Sequence, residues 1–335
     1  MKAQGKRRKA KAGRGEGSAS APVSPSSHRG GGKGVVVVGA GRLGTALARA
    51  LAARGYEVRA LVARRPARAR RAAEVAGVDA LALGAGQLDR LPAAGLLFIT
   101  TPDGLIAETA ARLAELPARG GGVALHASGA LSSEVLAPLR ARGFGVGSMH
   151  PLAAVSEAGA GAESLSRAFY CVEGDARAVR AARRVVRDLG GRAFQIDPAA
   201  KALYHASAVL AAGHVVALFD LAAETLARCG LPERRAREVL LPLVRSAVEN
   251  LAKTAPARAL TGSFARGDAE TIRRHLAALA ELADPDALAA YKLLGAQSLK
   301  LAERAGADPA VADVIRRVLK RDGGEVARPH DLELE

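Results

Sequence analysis

Residues Val35 to Gly44 read VVVVGAGRLG, and the chain passes from them directly into TALARALAARG. Four consecutive valines suit a strand buried on both faces of a parallel sheet. The glycines that follow, Gly39, Gly41 and Gly44, stand at the spacing of a dinucleotide-binding turn, and each answers a separate steric demand. Gly39 makes the tight turn out of the strand, Gly41 lets the backbone approach a pyrophosphate, and Gly44 lets the following helix pack closely on the strand. The helix N-terminus offers unpaired N–H groups and its dipole to the anion, so no basic side chain is required there. Glycines at this spacing are weak evidence by themselves in a chain rich in Gly and Ala. Strand, glycines and helix in that order are specific. The competing reading is a Rossmann-like turn that has lost its ligand.

The choice of dinucleotide is made at the end of the second strand, Glu57 to Arg64, where an NAD enzyme usually carries an acid for the ribose hydroxyls. This chain offers Arg64 and Arg65 instead. A carboxylate would repel a 2′-phosphate, whereas a guanidinium holds it by charge-assisted hydrogen bonds, so NADP (NADPH) is favoured over NAD. A solvated arginine pair at the head of the arginine-rich segment after Pro66 would look the same.

At 335 residues, with 49% hydrophobic residues, the chain is long enough for about two domains with real cores. Aromatics are only 3% and Trp is absent, so those cores are packed from Ala, Leu and Val. Cys171 and Cys229 lack the close spacing of a metal pair or redox motif and fit buried thiols of a reducing cytoplasm. The net charge is +16, and residues 1–33 carry nine basic residues against Glu16 alone, half of that excess. This tail is expected to be disordered. It has no apolar core of a secretory signal, and a nucleic-acid arm is its less favoured reading. No membrane span is expected: the most apolar segment, Ala206 to Leu218, is short, carries His214 and reads as a buried helix.

Beyond the first βαβ unit, an apolar stretch near Val78 to Leu83 leads to Leu96–Thr100, which ends in Thr101-Pro102-Asp103, with Asp103 placed to cap the next helix. The same rhythm gives Val123–His126 with Ser128-Gly129, Gly145–Met149 with His150-Pro151, and strands near 169–173 and 193–196 about a helix at 177–189. Strands alternating with helices predict a doubly wound, mainly parallel α/β sheet, a Rossmann domain over 34–197. After Asp197 strand signals end. A long helical pattern, Pro198 to Arg228, and helices near 232–253, 268–283, 285–305 and 308–321 predict an all-helical domain over 198–321, for substrate and dimerisation, with a loose tail at 322–335.

Ligands of open α/β sheets bind beyond the carboxyl ends of the strands. The turn residues Gly39, Ala40, Gly41, Arg42, Leu43 and Gly44, with Arg64, Thr100, Thr101 and Pro102, are the candidate cofactor-binding set. Ser128, His150, Lys201 and His205 are the candidate catalytic set. Lys201 and His205 are four apart and share a helix face with Tyr204 beside them, where lysine and histidine can supply a proton to the atom that receives a hydride. Each also has a bland reading. Lys201 fits a surface lysine, His205 a core histidine, His126 a side chain turned into the sheet, and Ser128 a turn-shaping serine. Arg266, in the loop Leu260–Asp268, fits a substrate carboxylate but fits an interdomain salt bridge better. No metal is implied, because the histidines lack the close spacing of a zinc site.

Taken together, GAGRLG at 39–44, TTPD at 100–103, HASG at 126–129, MHPL at 149–152, KALYHASAV at 201–209 and LTGSFARGD at 260–268 resemble a group of uncharacterised bacterial Rossmann-like oxidoreductases whose helical second half is a domain of unknown function. The architecture is similar to the 6-phosphogluconate dehydrogenase-like and ketopantoate reductase-like superfamily, which implies a 6-phosphogluconate dehydrogenase C-terminal-like helical domain. In the hydroxyacid members a Lys-x-x-x-Asn pair binds the reacting group. Here Lys201 matches the lysine and His205 stands in the place of asparagine, and histidine, unlike asparagine, can act as an acid near neutral pH. His214 is a second departure. The resemblance alone implies a homodimer through the helical domain. The expected function is an NADP-dependent oxidoreductase acting on a small carbonyl, imine or hydroxy-acid substrate in the cytoplasm, the alternative a non-catalytic NADP-binding sensor or interaction module.

Overall fold

The computed structural model describes residues 33–117 and 121–320; the expectations for the two tails, residues 1–32 and 321–335, lie outside them. One sheet organises the first half of the chain. Its eight strands are β1 (Gly34–Val38), β2 (Glu57–Ala63), β3 (Leu81–Gly84), β4 (Leu96–Ile99), β5 (Val123–His126), β6 (Gly145–Leu152), β7 (Phe169–Gly174) and β8 (Arg192–Phe194). They lie in the order β3-β2-β1-β4-β5-β6-β7-β8. Every neighbouring pair is parallel except β6 and β7. The order reverses between β1 and β4, which puts the topological switch point beside the glycine-rich turn.

Between and after the strands run α1 (Arg42–Ala52), α2 (Pro66–Ala76), α3 (Asp103–Glu115), the single turn α4 (Ala137–Arg140), α5 (Ala158–Leu165) and α6 (Ala176–Leu189). Helix α5, rich in Gly and Ala and without a cap signal, was not legible in the sequence. The valines of β1 divide between two cores as the period-2 pleat requires. Val35 and Val37 join Leu47, Leu51 and Val185 of α1 and α6, whereas Val36 and Val38 join Ile106, Ala110 and Leu139 of α3 and α4. Each buried valine contributes about 1.5–3 kcal/mol relative to exposure, so both faces hold the central strand in place.

From Pro198 onward the described residues form helices only: α7 (Lys201–Ala211), α8 (Gly213–Ala227), α9 (Glu233–Lys253), the single turns α10 (Pro256–Ala259) and α11 (Ser263–Arg266), α12 (Ala269–Ala280), α13 (Asp286–Arg304) and α14 (Pro309–Lys320). Ile272, Leu276, Leu299, Ile315 and Leu319 make a third core among α12 to α14. Asp268 caps α12, its carboxylate accepting from the Thr271 N–H at 3.0 Å and from the Thr271 hydroxyl at 2.7 Å.

Two expectations for the segment after Pro198 are corrected. The helix is not continuous to Arg228: Ala212, at φ −127° and ψ −69°, breaks it just before Gly213, where low helix propensity makes a break least costly. Nor is the apolar stretch buried. Only the first turns of α7 meet the sheet, while α8 and α9 pack on neighbouring helices, and Leu203 is 77% exposed, Val216 69% and Leu243 67%. Extended on both sides of Ala206–Leu218, the 30-residue stretch Pro198–Ala227 holds an 18-residue window with a mean hydropathy of 1.8, long and apolar enough by length and composition to cross a membrane, as no other described helix is.

Candidate functional site

The turn after β1 is tied to its neighbours on both sides. Gly39 N–H and Ala40 N–H donate to the Val62 carbonyl at 2.9 and 2.7 Å, and Thr100 Oγ1 donates to the Gly39 carbonyl at 2.8 Å. Gly39 has φ +112°, and a Cβ on it would lie 2.5 Å from the Thr100 carbonyl carbon. A Cβ on Gly44 would lie 2.3 Å from the Gly39 oxygen, whereas one on Gly41 would meet nothing nearer than 4.0 Å. The protein itself therefore requires glycine at 39 and 44 and leaves the space over Gly41 open. Thr101 Oγ1 is buried without a hydrogen-bond partner, a donor left for something outside the protein framework. A turn with open space over its middle glycine, a helix N-terminus behind it and an orphaned hydroxyl beside it fits a dinucleotide.

Of the other candidate cofactor residues, Leu43 lines the cavity described below. Arg42 is exposed and donates to the Ser156 carbonyl at 3.4 Å. Arg64 and Arg65 are exposed just past the end of β2 and make no ion pair among the described residues. Pro102 stops β4 and precedes Asp103, the first residue of α3. The carboxylate of Asp103 does not cap its helix. It accepts from Ser128 Oγ at 2.8 Å instead.

Beyond β5 the loop is drawn tight by three buried groups. His126 is fully buried. Its Nδ1 accepts from the Ser128 N–H and its Nε2–H donates to the Ser132 carbonyl, both at 3.2 Å. Burial, reinforced by the charge of Lys201, pushes the His126 pKa down to about 3, so the ring is a neutral strut. Ser128 Oγ donates to Asp103 and accepts from Ala130 and Leu131 N–H at 3.1 and 3.0 Å. That hydroxyl shapes the turn and has no capacity left over.

Lys201 departs from its expectation most. It is 1% exposed, and its Nζ donates to the Ser128 carbonyl at 3.1 Å and to Ser148 Oγ at 2.9 Å. Burial lowers its pKa, opposed by the charges of Cys171, Glu173 and Asp103. Glu173 is buried too, facing Ser148 across β6 and β7 and accepting from the N–H and hydroxyl of Ser133 at 2.8 Å each. The lysine is thus neither a surface group nor a lining group of the cleft. It is a strut beneath it, attached to the carbonyl just before Gly129.

The imidazoles that face the cleft are those of His150 and His205. His150 is in β6. Its Nδ1 lies 2.7 Å from the Tyr204 hydroxyl. Burial, with the nearby Lys201 charge and His205, pushes the His150 pKa down to about 4, and burial raises those of Tyr204 and Cys171. A protonated phenol donating to Nδ1 leaves the hydrogen on Nε2. The His205 ring meets His150 edge to face, centroids 5.4 Å apart, and its Nδ1 is buried without a partner. Both rings press on Gly129, where a Cβ would lie 2.2 Å from His205 Nδ1 and 2.9 Å from His150 Nε2. A cavity of about 210 Å³ runs from Leu43 of the glycine-rich turn past Asp103, Ser128 and Gly129 to these two imidazoles.

Two participants were missed in the sequence: Gly129 read only as part of a turn, and Ser148 carried no signal until strand pairing set it opposite His126. Asp103 is among the polar groups that the sequence places at the strand ends, but its local role there reads as that of a cap. Arg266 sits in the α11 turn, does not line this cavity and makes no ion pair among the described residues, so the expected salt bridge is not seen.

The two depressed histidines set an acid limit on stability. The unfolded chain protonates both near pH 6.5, while the folded protein does so only near pH 4 and 3, so stability is full above pH 6.5 and falls as pH drops toward 3. The loss is about 1.4 kcal/mol per pH unit for each histidine within its window. Urea unfolding at pH 7 and 4.5 should show a smaller difference for His126→Gln than for the parent chain. An equal difference would mean that His126 is not held neutral.

Comparison with known proteins agrees with this architecture. Residues 20–151 match a Rossmann-like domain and residues 168–298 match DUF2520, a domain of unknown function. No curated protein sequence matches the chain. Protein TM1727 from Thermotoga maritima is similar at 26% identity over 81% of this chain and 99% of that one, with a TM-score of 0.63. BF3122 from Bacteroides fragilis, provisionally assigned as an NADP oxidoreductase, shares 23% identity over 80% and 98% of the two chains at a TM-score of 0.64. A reductive aminase from Aspergillus terreus in complex with NADPH shares the fold at 18% identity over 85% and 99%, with a TM-score of 0.52.

Proposed function

Since the chain joins a Rossmann-like domain to the DUF2520 domain, we propose that it is an NADP-dependent oxidoreductase acting on a small carbonyl, imine or hydroxy-acid substrate in the cleft. The observation that carries this reading is one cavity bordered at one end by the glycine-rich turn and at the other by His150 and His205. Gly39 to Gly44, Thr100, Thr101 and Pro102 would hold the dinucleotide, with Arg64 on the 2′-phosphate. When bound, it supplies the hydride.

His150, kept neutral by burial and given its Nε2–H by Tyr204, donates a hydrogen bond to the acceptor oxygen or nitrogen and polarises it. His205, whose Nδ1 has no protein partner, passes to that atom the proton that accompanies the hydride and recovers it from solvent. Ser128 and Lys201 are positioning residues. Through the Ser128 carbonyl they fix Gly129, and with it the floor on which both rings rest.

Calorimetric titration tests the cofactor. NADPH should bind more tightly than NADH, and Arg64→Ala should weaken NADPH by ~10–100-fold, as loss of one to two charge-assisted bonds requires, while leaving NADH unchanged. Absence of binding by either dinucleotide overturns the reading. A non-catalytic NADP-binding sensor is the second reading, favoured by the saturation of Ser128 Oγ and the sequestration of Lys201; it predicts binding without hydride transfer to any acceptor.

A homodimer through the helical half belongs to the same proposal. Apolar side chains on α7 to α9 and α13 stand open in a single copy, Leu293 being 74% exposed. The 30-residue stretch that contains α7 and α8 carries Lys201, Asp220 and Glu224 and is broken at Ala212, which suits a protein partner better than lipid. Sedimentation should give twice the chain mass of 34.3 kDa. A monomer in detergent-free buffer at micromolar concentration would remove this part.

A further inference from the structure

A second cavity, of about 440 Å³, lies on the far side of the two histidines. It shares His150, Pro151, Ala153 and His205 with the cavity that reaches the glycine-rich turn, so the imidazole pair forms the partition between them. The cofactor side carries Asp103 and Ser128. The far side is walled by Leu152 at the end of β6, by Ala154 just after it and by Ala208, Val209, Ala212 and Gly213 about the helix break, and the imidazoles are its only polar side chains. The break itself makes room: a Cβ on Gly213 would meet only Val209 Cγ1, at 3.7 Å.

We propose that this cavity receives the hydrocarbon part of an uncharged ketone, aldehyde or imine, whose reacting carbon sits at the His150–His205 partition. The inference rests on the oxidoreductase reading and narrows it, because a hydroxy acid or oxo acid does not fit. The wall is partly open to solvent, Leu152 being 40% exposed, but it offers a carboxylate no lysine or arginine, so each contact with it costs hydration without an ion pair in return. A chain of methylenes meets Leu152, Val209 and the alanines instead. The volume is within the range of small-molecule sites, ~300–1,000 Å³.

The test uses the full chain and matched probes, the methyl ketones from butan-2-one to octan-2-one and the 2-oxo acids of the same chain lengths. Saturation-transfer NMR and calorimetry read binding, and NADPH oxidation is followed in parallel. Ketone affinity should rise ~3–4-fold per added methylene until the cavity is filled. Each oxo acid should bind at least ~10-fold more weakly than its ketone, the minimum expected for stranding its charge. Ala208→Phe, which fills the cavity, should remove ketone binding with an unchanged thermal melt.

Oxo acids that bind as well as ketones, an affinity flat with chain length, or ketone binding untouched by Ala208→Phe would each overturn the proposal. So would no binding by either series, with Ala208→Phe changing the oligomeric state, since the cavity would then be an interface between copies. Ketone binding with the expected profile but no NADPH oxidation would leave the cavity's preference standing and defeat the oxidoreductase reading. The two failures are therefore distinguishable.

Discussion

Replacing Gly129 with alanine is expected to abolish turnover while the protein still folds. The added methyl would sit 2.2 Å from His205 Nδ1 and 2.9 Å from His150 Cε1 and Nε2, distances that van der Waals contact forbids. His150 is held more firmly, because its backbone pairs with Cys171 of β7 and its Nδ1 lies 2.7 Å from the Tyr204 hydroxyl. His205 must therefore swing away from the partition. Overpacking of this kind costs about 1–3 kcal/mol of stability, which a two-core sheet tolerates, whereas displacement of a reacting group by ~1 Å costs on the order of 100-fold in rate. The expected result is a modest fall in melting temperature, unchanged NADPH affinity and at least ~100-fold lower kcat/KM. Imidazole proton resonances provide a readout independent of substrate, since His205 should shift and His126 should not. An alanine variant with parental turnover and an unmoved His205 would show that the pair is not the reacting centre.

Gly41 and Gly44 should respond to alanine in opposite ways. Gly44 is buried with the Gly39 carbonyl 2.3 Å and Thr100 Oγ1 2.5 Å from the position of a Cβ. Backbone cannot yield as a side chain can, so Gly44→Ala should lower stability by about 1–3 kcal/mol or more. Gly41 is exposed at the N-cap of α1, with nothing within 4 Å of a Cβ but the Gly39 oxygen at 4.0 Å. Its alanine variant should lose no more than ~1 kcal/mol, the cost of a poorer N-cap residue, yet bind NADPH ~100-fold more weakly, because the methyl occupies the place of the pyrophosphate. Urea unfolding and calorimetry on the two variants separate the cases. Parental NADPH affinity in Gly41→Ala would mean that the open space is not a ligand site.

The strands of the sheet were legible because they are short apolar runs punctuated by Gly, Pro and Asp, with a local cause for each start and stop. The helices after Pro232 were legible from their period and their glycine and proline stops. Errors gathered where local pattern and tertiary environment diverge. Helix α5 has no cap and few large side chains, so nothing marks it before it packs on α1. The apolar residues about Leu210 signalled burial correctly as chemistry but not as geometry, since nothing among the described residues of one copy covers them. Asp103 has the position of a helix cap and the function of a turn anchor, and only the approach of Ser128 from the next loop decides between them.

What the sequence by itself determined is the nucleotide-type turn and the α/β order around it. Strand propensity, glycine freedom and helix signals act over a few residues, and VVVVGAGRLG contains all three. It also determined which residue types gather at the carboxyl edge of the sheet. Tertiary structure alone decided their roles. Lys201 and His205 share one helix face in the sequence, yet the sheet buries the lysine under Ser128 and Ser148 and leaves the histidine against His150. The reason is physical: a charge four residues from an imidazole is read only by what packs against each, and here β5, β6 and β7 supply partners for the amine and none for His205 Nδ1.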